Sequence, residues 1–360
     1  MRFCKTFLKE VLSVPSVSCH EERMCEYIAD FAAKHNMTSR RDGKGNLYLT
    51  KGVLDKGEYC PCLIEHMDTV QSWQLEYVTN NKRIRILEKT VKDGRTKLYV
   101  PNAGIGADDK AGIAIALALM DSMEKCKAVF CVEEEVGLRG SSAMDYDFLA
   151  DVSFCVTLDA PECLVSATRG DRVRRNMYNQ AFFNSILKPV CDKYGMRFFT
   201  HRANTDICNV MKNTDLVCWD LCNGGYKPHS REEYVVFEDA KISYDLLRDL
   251  FKTLDKHQRY VMPKGCRYES INHNGQEFAC LCWGGIITDV WCCGSREEVL
   301  DSMSLRLGAA VELNKDGSYF AMKDGVRFEF KVVERPGRDP YGRISLREAV
   351  QGYRDKKERL

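Results

Sequence analysis

Residues 62–70, Cys62-Leu63-Ile64-Glu65-His66-Met67-Asp68-Thr69-Val70, start as an apolar run and finish with three ionisable side chains in four residues. Such a run reads as a strand buried on both faces. Charge gathered where a buried strand stops needs a reason, and the rest of the chain supplies one. Runs of the same kind recur at Leu47 to Thr50, Ala128 to Val132, Phe154 to Leu158 and Leu216 to Leu221. Helical periodicity fills the intervals at about 109–124, 181–194, 206–213 and 238–257. At the amino end, Phe3, Phe7, Leu8, Val11 and Leu12 share one helix face. A second helix, with stripe Met24, Ile28, Phe31 and Ala32, is expected after Ser18, whose Ser-x-x-Glu spacing to Glu21 reads as a capping box. Asp42 to Asn46 reads as a turn. Strands alternating with helices predict an α/β fold: three αβα layers around a mostly parallel, mixed central sheet.

Composition limits the partners. The chain has 360 residues, 44% hydrophobic and 29% charged, with 53 basic against 52 acidic side chains and a net charge of +1. A balance so close to neutral predicts neither a nucleic-acid surface nor a charged tail. The first 20 residues break every apolar run with Lys, Glu or Ser, so no signal peptide is expected. Elsewhere the longest apolar run, Gly112 to Met120, falls well short of the roughly 20 residues a membrane span needs. The expected location is the cytoplasm, where the 18 cysteines would be reduced thiols. The C-x-C pairs Cys60/Cys62 and Cys280/Cys282 and the adjacent Cys292 and Cys293 do not build the paired C-x-x-C of a structural zinc site.

In a parallel sheet, ligands bind beyond the carboxyl ends of the strands. The strand at 62–65 stops at His66-Met67-Asp68, the next at Glu133-Glu134-Glu135, the third at Asp159, and the fourth runs through Gly224-Gly225-Tyr226 to His229. Asp108 and Asp109 stand just before the helix that begins near Lys110. Any one of these residues has an ordinary role, as a helix cap or a surface polar group. Together, carboxylates and imidazoles crowded into one crevice repel and shift one another unless cations neutralise them. Two divalent ions fit that requirement. Imidazole and carboxylate ligands suit zinc first, with cobalt or manganese as alternatives.

The ordered motifs His66-Met67-Asp68-Thr69-Val70, Gly106-Ala107-Asp108-Asp109-Lys110-Ala111-Gly112, Glu134-Glu135-Val136-Gly137, Asp159 and His229 resemble those of the co-catalytic di-zinc exopeptidases. The GADDKAG segment is similar to tripeptidase T, and PHSREEYV before a long helix is similar to the glutamyl and leucyl aminopeptidases. The likeness covers roughly residues 1–258 and implies a metallo-exopeptidase acting on short peptides, more on the amino end. It implies that His66 and Asp159 bind one metal, Glu135 and His229 the other, and that Asp108 bridges them. Asp68 would fix the His66 tautomer. Glu134 would be the general base toward the water between the metals. It further implies a cis bond between Asp108 and Asp109. An N-acyl amidohydrolase or carboxypeptidase of the same chemistry, and an inactive metal-binding module, stay open as alternatives.

The chain departs from these relatives in two intervals. Only about 70 residues separate Asp159 from His229, so the lid and dimerisation insertion of tripeptidase T is missing. About 40 residues separate His66 from Asp108, and there Arg83 to Leu87 and Lys97 to Val100 read as a hairpin around Lys92-Asp93-Gly94-Arg95. Without a lid, Tyr226 or His201 is the candidate for stabilising the oxyanion. Asp206, in Asn204-Thr205-Asp206, is a candidate for holding a substrate amine, and Arg169 for pairing with a substrate carboxylate. Residues 263–360 read as a separate small α+β appendage with strands at 278–283, 286–292, 319–322 and 326–332 and helices near 295–306 and from about Leu346. An oligomer is compatible with all of this.

Overall fold

The computed structural model describes residues 3–160, 164–166, 168–169, 175–178, 182–199, 204–262, 268–273, 276–283, 286–291, 310–313, 319–323 and 326–330. Two compact units make up the chain. The first comprises Met1–Ser166, Tyr178–Phe198 and Asn204–Val261, the second Ala167–Met177, Phe199–Ala203 and Met262–Leu360. Residues 167–177 and 199–203, which the division at 258/263 would leave in the first unit, group with the second.

The first unit opens with helices α1 (Lys5–Leu12) and α2 (Glu22–Lys34) and strands β1 (Met37–Arg41), β2 (Leu47–Lys51) and β3 (Cys60–His66). Next come α3 (Leu75–Thr79), β4 (Leu87–Thr90), β5 (Thr96–Tyr99), α4 (Ala107–Ser122), β6 (Cys126–Cys131), α5 (Arg139–Ser142), β7 (Val152–Ala160) and β8 (Leu164–Ser166). The two-residue strands β9 (Thr168–Arg169) and β10 (Arg175–Asn176) pair with each other. A wide π turn at Phe183–Leu187 then runs into α6 (Lys188–Lys193), followed by β11 (Arg197–Phe199), α7 (Asp206–Asn213), β12 (Cys218–Cys222), β13 (Gly225–Tyr226), β14 (Tyr234–Val236) and α8 (Phe237–Thr253).

The central sheet has the order β1-β2-β6-β3-β7-β12-β8-β11. Its middle, β6-β3-β7-β12, is parallel throughout, and β1, β2 and β8 add antiparallel pairings. This is the three-layer α/β architecture expected. Parallel strands covered on both faces read as continuous apolar runs, and β3 and β6 are buried at every residue. Helix α4 packs on β3, β6 and β7 with α1 and α8 beside it. From Ala111 to Met120 no side chain of α4 reaches solvent. Each of Ile113, Ile115, Leu117, Leu119 and Met120 contributes roughly 1.5–3 kcal/mol by that burial. A helix buried on all sides carries no amphipathic stripe.

Two local expectations are corrected. Helix α2 starts at Glu22, and Ser18 is not its cap; the Ser18 hydroxyl donates to Asp68 Oδ2 at 2.7 Å and Glu21 Oε1 accepts from the Cys19 and Glu133 amides. The hairpin exists, but its first strand is Leu87–Thr90, with Leu87 opposite Tyr99 and Thr90 opposite Thr96. The alternation at 83–86 is real, since Ile84 and Ile86 are buried. Ile84 nevertheless spends its N–H on the Ser13 carbonyl, which leaves no ladder partner. Together β13, β14, β5 and β4 form a second, four-stranded sheet.

In the second unit, β15 (Tyr268–His273), β16 (Gln276–Trp283) and β17 (Ile286–Trp291) form one antiparallel sheet. Another contains β18 (Val311–Leu313), β19 (Tyr319–Lys323) and β20 (Val326–Phe330), where Lys323 pairs with Val326. The helices expected near 295–306 and from Leu346 lie outside the described residues. No helix among the described residues is long and apolar enough to cross a membrane.

Candidate active site

Three of the four parallel strands deliver a candidate ligand at the same edge, and the chain beyond the fourth, β12, brings another. Strand β3 ends on His66, β6 is followed by Glu134 and Glu135, β7 carries Asp159 at its last turn of the pleat, and the loop after β13 brings His229. The fifth, Asp108, sits in the turn before the regular part of α4. There Gly106 is left-handed at φ 72°, Asp108 and Asp109 are non-helical, and the peptide bond between those two aspartates is cis.

Distances assemble these residues into one group. Asp108 presents its two oxygens to different imidazoles: Oδ1 lies 3.0 Å from His66 Nε2 and Oδ2 3.1 Å from His229 Nε2. Asp159 Oδ1 is 3.8 Å from His66 Nε2, and Glu135 Oε2 is 3.1 Å from His229 Nε2. Ligand atoms of His66, Asp108 and Glu135 lie within 4.8 Å of one another. That is close to the span ligands share at about 2.0–2.2 Å from one zinc ion.

The electrostatics pose the problem that a cation solves. Burial alone would lower the His66 pKa, but Asp108, Asp159 and Asp68 hold it well above an ordinary histidine. His229 is pushed up to about 11 by hydrogen bonding to Asp108 and then Glu135. Burial pushes Glu134 up to about 10, and Asp159, Asp206 and Asp108 add to the rise against the pull of His66. Glu135 is also raised, by burial first. One of its oxygens is buried without a hydrogen-bond partner. Imidazoles that face carboxylates, a buried oxygen still lacking a donor, and no thiolate in the group form a donor set that fits divalent zinc, cobalt or manganese.

Asp68 works differently from a simple partner of His66. The His66 Nδ1 lies 3.1 Å from the Asp68 main-chain carbonyl and 3.5 Å from its carboxylate. Either contact holds Nδ1 and leaves Nε2 facing the cluster. The carboxylate itself accepts the amides of Glu134 at 2.9 Å and Glu135 at 3.2 Å, with Ser18 as third donor. Asp68 therefore sets the backbone of the Glu-Glu pair. Behind it, Glu133 has φ 53° and is drawn outward by Lys44 at 2.7 Å and Arg139 at 3.5 Å. Three successive glutamates thus face different directions.

The other candidates separate. Tyr226 stacks on Tyr234, and its hydroxyl donates to Asp239 Oδ2 at 2.6 Å; engaged there, it has no proton for an oxyanion. Asp206 is only 2% exposed and lies against Ser141 and Cys131, so it offers no surface to a substrate amine; burial raises it to about 6. Arg169 lies on β9, opposite Arg175, in the second unit. His201 falls outside the described residues.

Three residues that local spacing does not reveal also belong to this neighbourhood. Glu65 and Asp109 form a buried carboxyl pair under His66. Burial pushes Glu65 up to about 8 and Asp109 well above its ordinary value, and the Glu65 charge adds to the rise at Asp109. Asp109 accepts the His66 amide at 3.3 Å, and Glu65 accepts that of Leu158 at 3.0 Å. The third is Glu233, buried beside the Asp108 turn.

Residues 79–163 match the family model described as M42 glutamyl aminopeptidase. That span carries Asp108, Glu134, Glu135 and Asp159. Among solved structures, aminopeptidase PepT from Bacillus cereus ATCC 10987 superposes with a TM-score of 0.57 at 14% identity, over 70% of this chain and 97% of the other. A tripeptidase from Staphylococcus aureus subsp. aureus Mu50 gives 0.54 at 13% identity, over 70% and 98%. The Pyrococcus horikoshii TET1 peptidase gives 0.52 at 16% identity, over 69% and 99%. This is the fold of the aminopeptidases. The M42 match across residues 79–163, on that fold, makes the chain a peptide-bond hydrolase by class. No curated protein sequence matches the chain significantly.

Proposed function

We propose that the protein is a cytoplasmic, di-metal exopeptidase that removes residues from the amino end of short peptides, with zinc as the first choice of ion and cobalt or manganese as alternatives. The observation that carries this reading is Asp108, whose two carboxylate oxygens each face a different imidazole at 3.0 and 3.1 Å. His66 and Asp159 would hold one ion, Glu135 and His229 the other, and Asp108 both. Divalent ions bound there acidify a coordinated water and polarise a carbonyl.

The remaining chemistry belongs to this chain. Glu134, 8% exposed, accepts a proton from the attacking water at its carboxylate and returns it to the leaving amine. Asp68 holds the Glu134 amide, which keeps that carboxylate aimed. The His66 ring, held at Nδ1 by Asp68, offers Nε2 outward. The closed core beneath, formed by α4 and β3, excludes water from the far side of the site. An oligomer belongs to the same reading, since the TET1 peptidase is described as assembling into a tetrahedron or a large octahedral shell.

The test is mass spectrometry of a small peptide library with free, N-acetylated or C-amidated ends, incubated with zinc-loaded protein. Stepwise loss of amino-terminal residues from peptides with a free amine is the expected result. Cleavage confined to N-acetylated members, or no cleavage with two metals bound, overturns it.

A further inference from the structure

Three separate loops meet around Asp108: the one after β3, which carries Gln71, the turn before α4, and the one after β13 with His229. A single buried side chain touches all three. Glu233, 2% exposed and four residues beyond His229, accepts the Gly106 amide through Oε2 at 2.8 Å and the Asp108 amide through Oε1 at 3.2 Å. Its Oε2 also accepts the side-chain amide of Gln71 at 2.9 Å. Gln71 lies three residues beyond Asp68, and the same amide nitrogen reaches the Ser230 carbonyl, beside His229, at 3.4 Å. We infer that Glu233 is the positioning residue of the bridging carboxylate, a clamp that sets where Asp108 stands between His66 and His229. The inference rests on the metal-centre reading above.

The geometry explains why a carboxylate is required. The backbone at Asp108 and Asp109 is non-helical, so the Gly106 and Asp108 amides need acceptors from outside the helix. Three N–H donors converge on two oxygens. An ionised carboxylate, with four lone-pair sites and no proton, accepts all of them. A glutamine in its place would turn its own NH₂ toward at least one N–H. The turn is also closed from the other side. A Cβ on Gly104 would come within 2.2 Å of Gln71, and one on Gly106 within 2.9 Å of Lys110, Gln74 and Thr69. Held between that wall and Glu233, the turn has one position open to it. Glu233 reaches Asp108 only through its backbone, so its action on the reaction passes through the ligand.

The experiment uses the full chain as wild type, Glu233→Gln, Gln71→Ala and Asp108→Asn, loaded with cobalt. Isothermal titration gives the number and affinity of sites, the visible d–d spectrum reports their geometry, and circular dichroism with a thermal melt reports the fold. Outer partners of metal ligands typically change affinity by about 10- to 100-fold. The expected result for Glu233→Gln is a loss of that size, with an altered cobalt spectrum and a fall in kcat that exceeds any rise in KM. Gln71→Ala shifts the same readouts in the same direction by less. A folded Glu233→Gln that binds cobalt with wild-type affinity and spectrum overturns the inference. If Glu233→Gln does not fold, Gln71→Ala decides by the same criterion. Wild type that takes up no cobalt, or Asp108→Asn that binds like wild type, overturns the metal reading instead, and the inference with it.

Discussion

The two ends of the parallel strands are both buried, yet they handle burial in opposite ways. At one end stand thiols: Cys60 and Cys62 open β3, Cys126 opens β6, Cys218 opens β12, and the register sets Cys62 beside Cys155 and Cys155 beside Cys218. Burial pushes the Cys60 thiol up to about 12, and Cys62, Cys126 and Cys155 well above their ordinary value, so these thiols stay neutral, with the Lys127–Asp151 ion pair beside them. Neutral sulfur behaves as a small apolar group and needs nothing more. At the other end His66, Glu134, Glu135 and Asp159 cannot shed their charge so cheaply, because a carboxylate taken from water must be paired, protonated or bound to a cation. One end is complete in itself. The other, in the proposed reading, is complete only with its ions.

The largest effect that probes this contrast is Glu134→Ala. Removal of the proposed general base should lower kcat by about 10²- to 10⁴-fold, while the metal content stays that of wild type, because Glu134 is not among the five proposed ligands. Elemental analysis beside steady-state kinetics checks both halves, and near-normal turnover would remove Glu134 from the role. His229→Ala comes next. Its side chain is 54% exposed, so the fold should survive and metal per chain should fall from two to one. Two ions retained in that variant would break the assignment of His229.

How much of this was legible beforehand divides along the same line. Buried strands such as Cys62 to Glu65 and Ala128 to Val132 announce themselves by composition, and charge at their ends marks the site because a parallel sheet has one ligand-binding edge. What escaped were contacts that local spacing cannot encode. Ser18 has the spacing of a helix cap, but its hydroxyl goes to Asp68, 50 residues on. Glu233 sits in a segment similar to aminopeptidases, yet its partners Gln71, Gly106 and Asp108 lie 125 to 162 residues away. Tyr226 was read as an oxyanion donor from its closeness to His229, and only the fold reveals that Asp239 claims its hydroxyl.

A smaller effect separates the stabilities of the two ends. Ligand that binds the folded chain alone adds about 2.7 kcal/mol at one hundred times its Kd. A chelator should therefore lower the midpoint of urea unfolding by that order, reversibly on adding zinc. At the thiol end, Cys155→Ser puts a hydroxyl where the neighbours are Cys62 and Cys218, and a poorly satisfied buried hydroxyl costs about 1–3 kcal/mol. That loss should be the same with and without zinc. A zinc-dependent cost for Cys155→Ser would mean that the two ends are coupled through the strands.

The smallest expected effect is also the sharpest test of independence. Among the twelve cysteines whose side chains are described, only Cys4 and Cys19 are exposed. In native protein iodoacetamide should label these two and leave Cys60, Cys62, Cys126, Cys155 and Cys218 unmodified, since alkylation needs an accessible sulfur and burial denies access. Chelation strips cations from the opposite edge, roughly 13 Å away along β3 at about 3.3 Å per residue. The layer between consists of the inaccessible residues of α4 and the strands, held by apolar packing that no cation supports. Labelling of the five buried thiols, read by mass spectrometry after digestion, should therefore be unchanged by chelator at temperatures below the melt. Faster labelling in chelator would show that the ions hold the sheet itself together, and the thiol end would then be complete only by borrowing from the charged one.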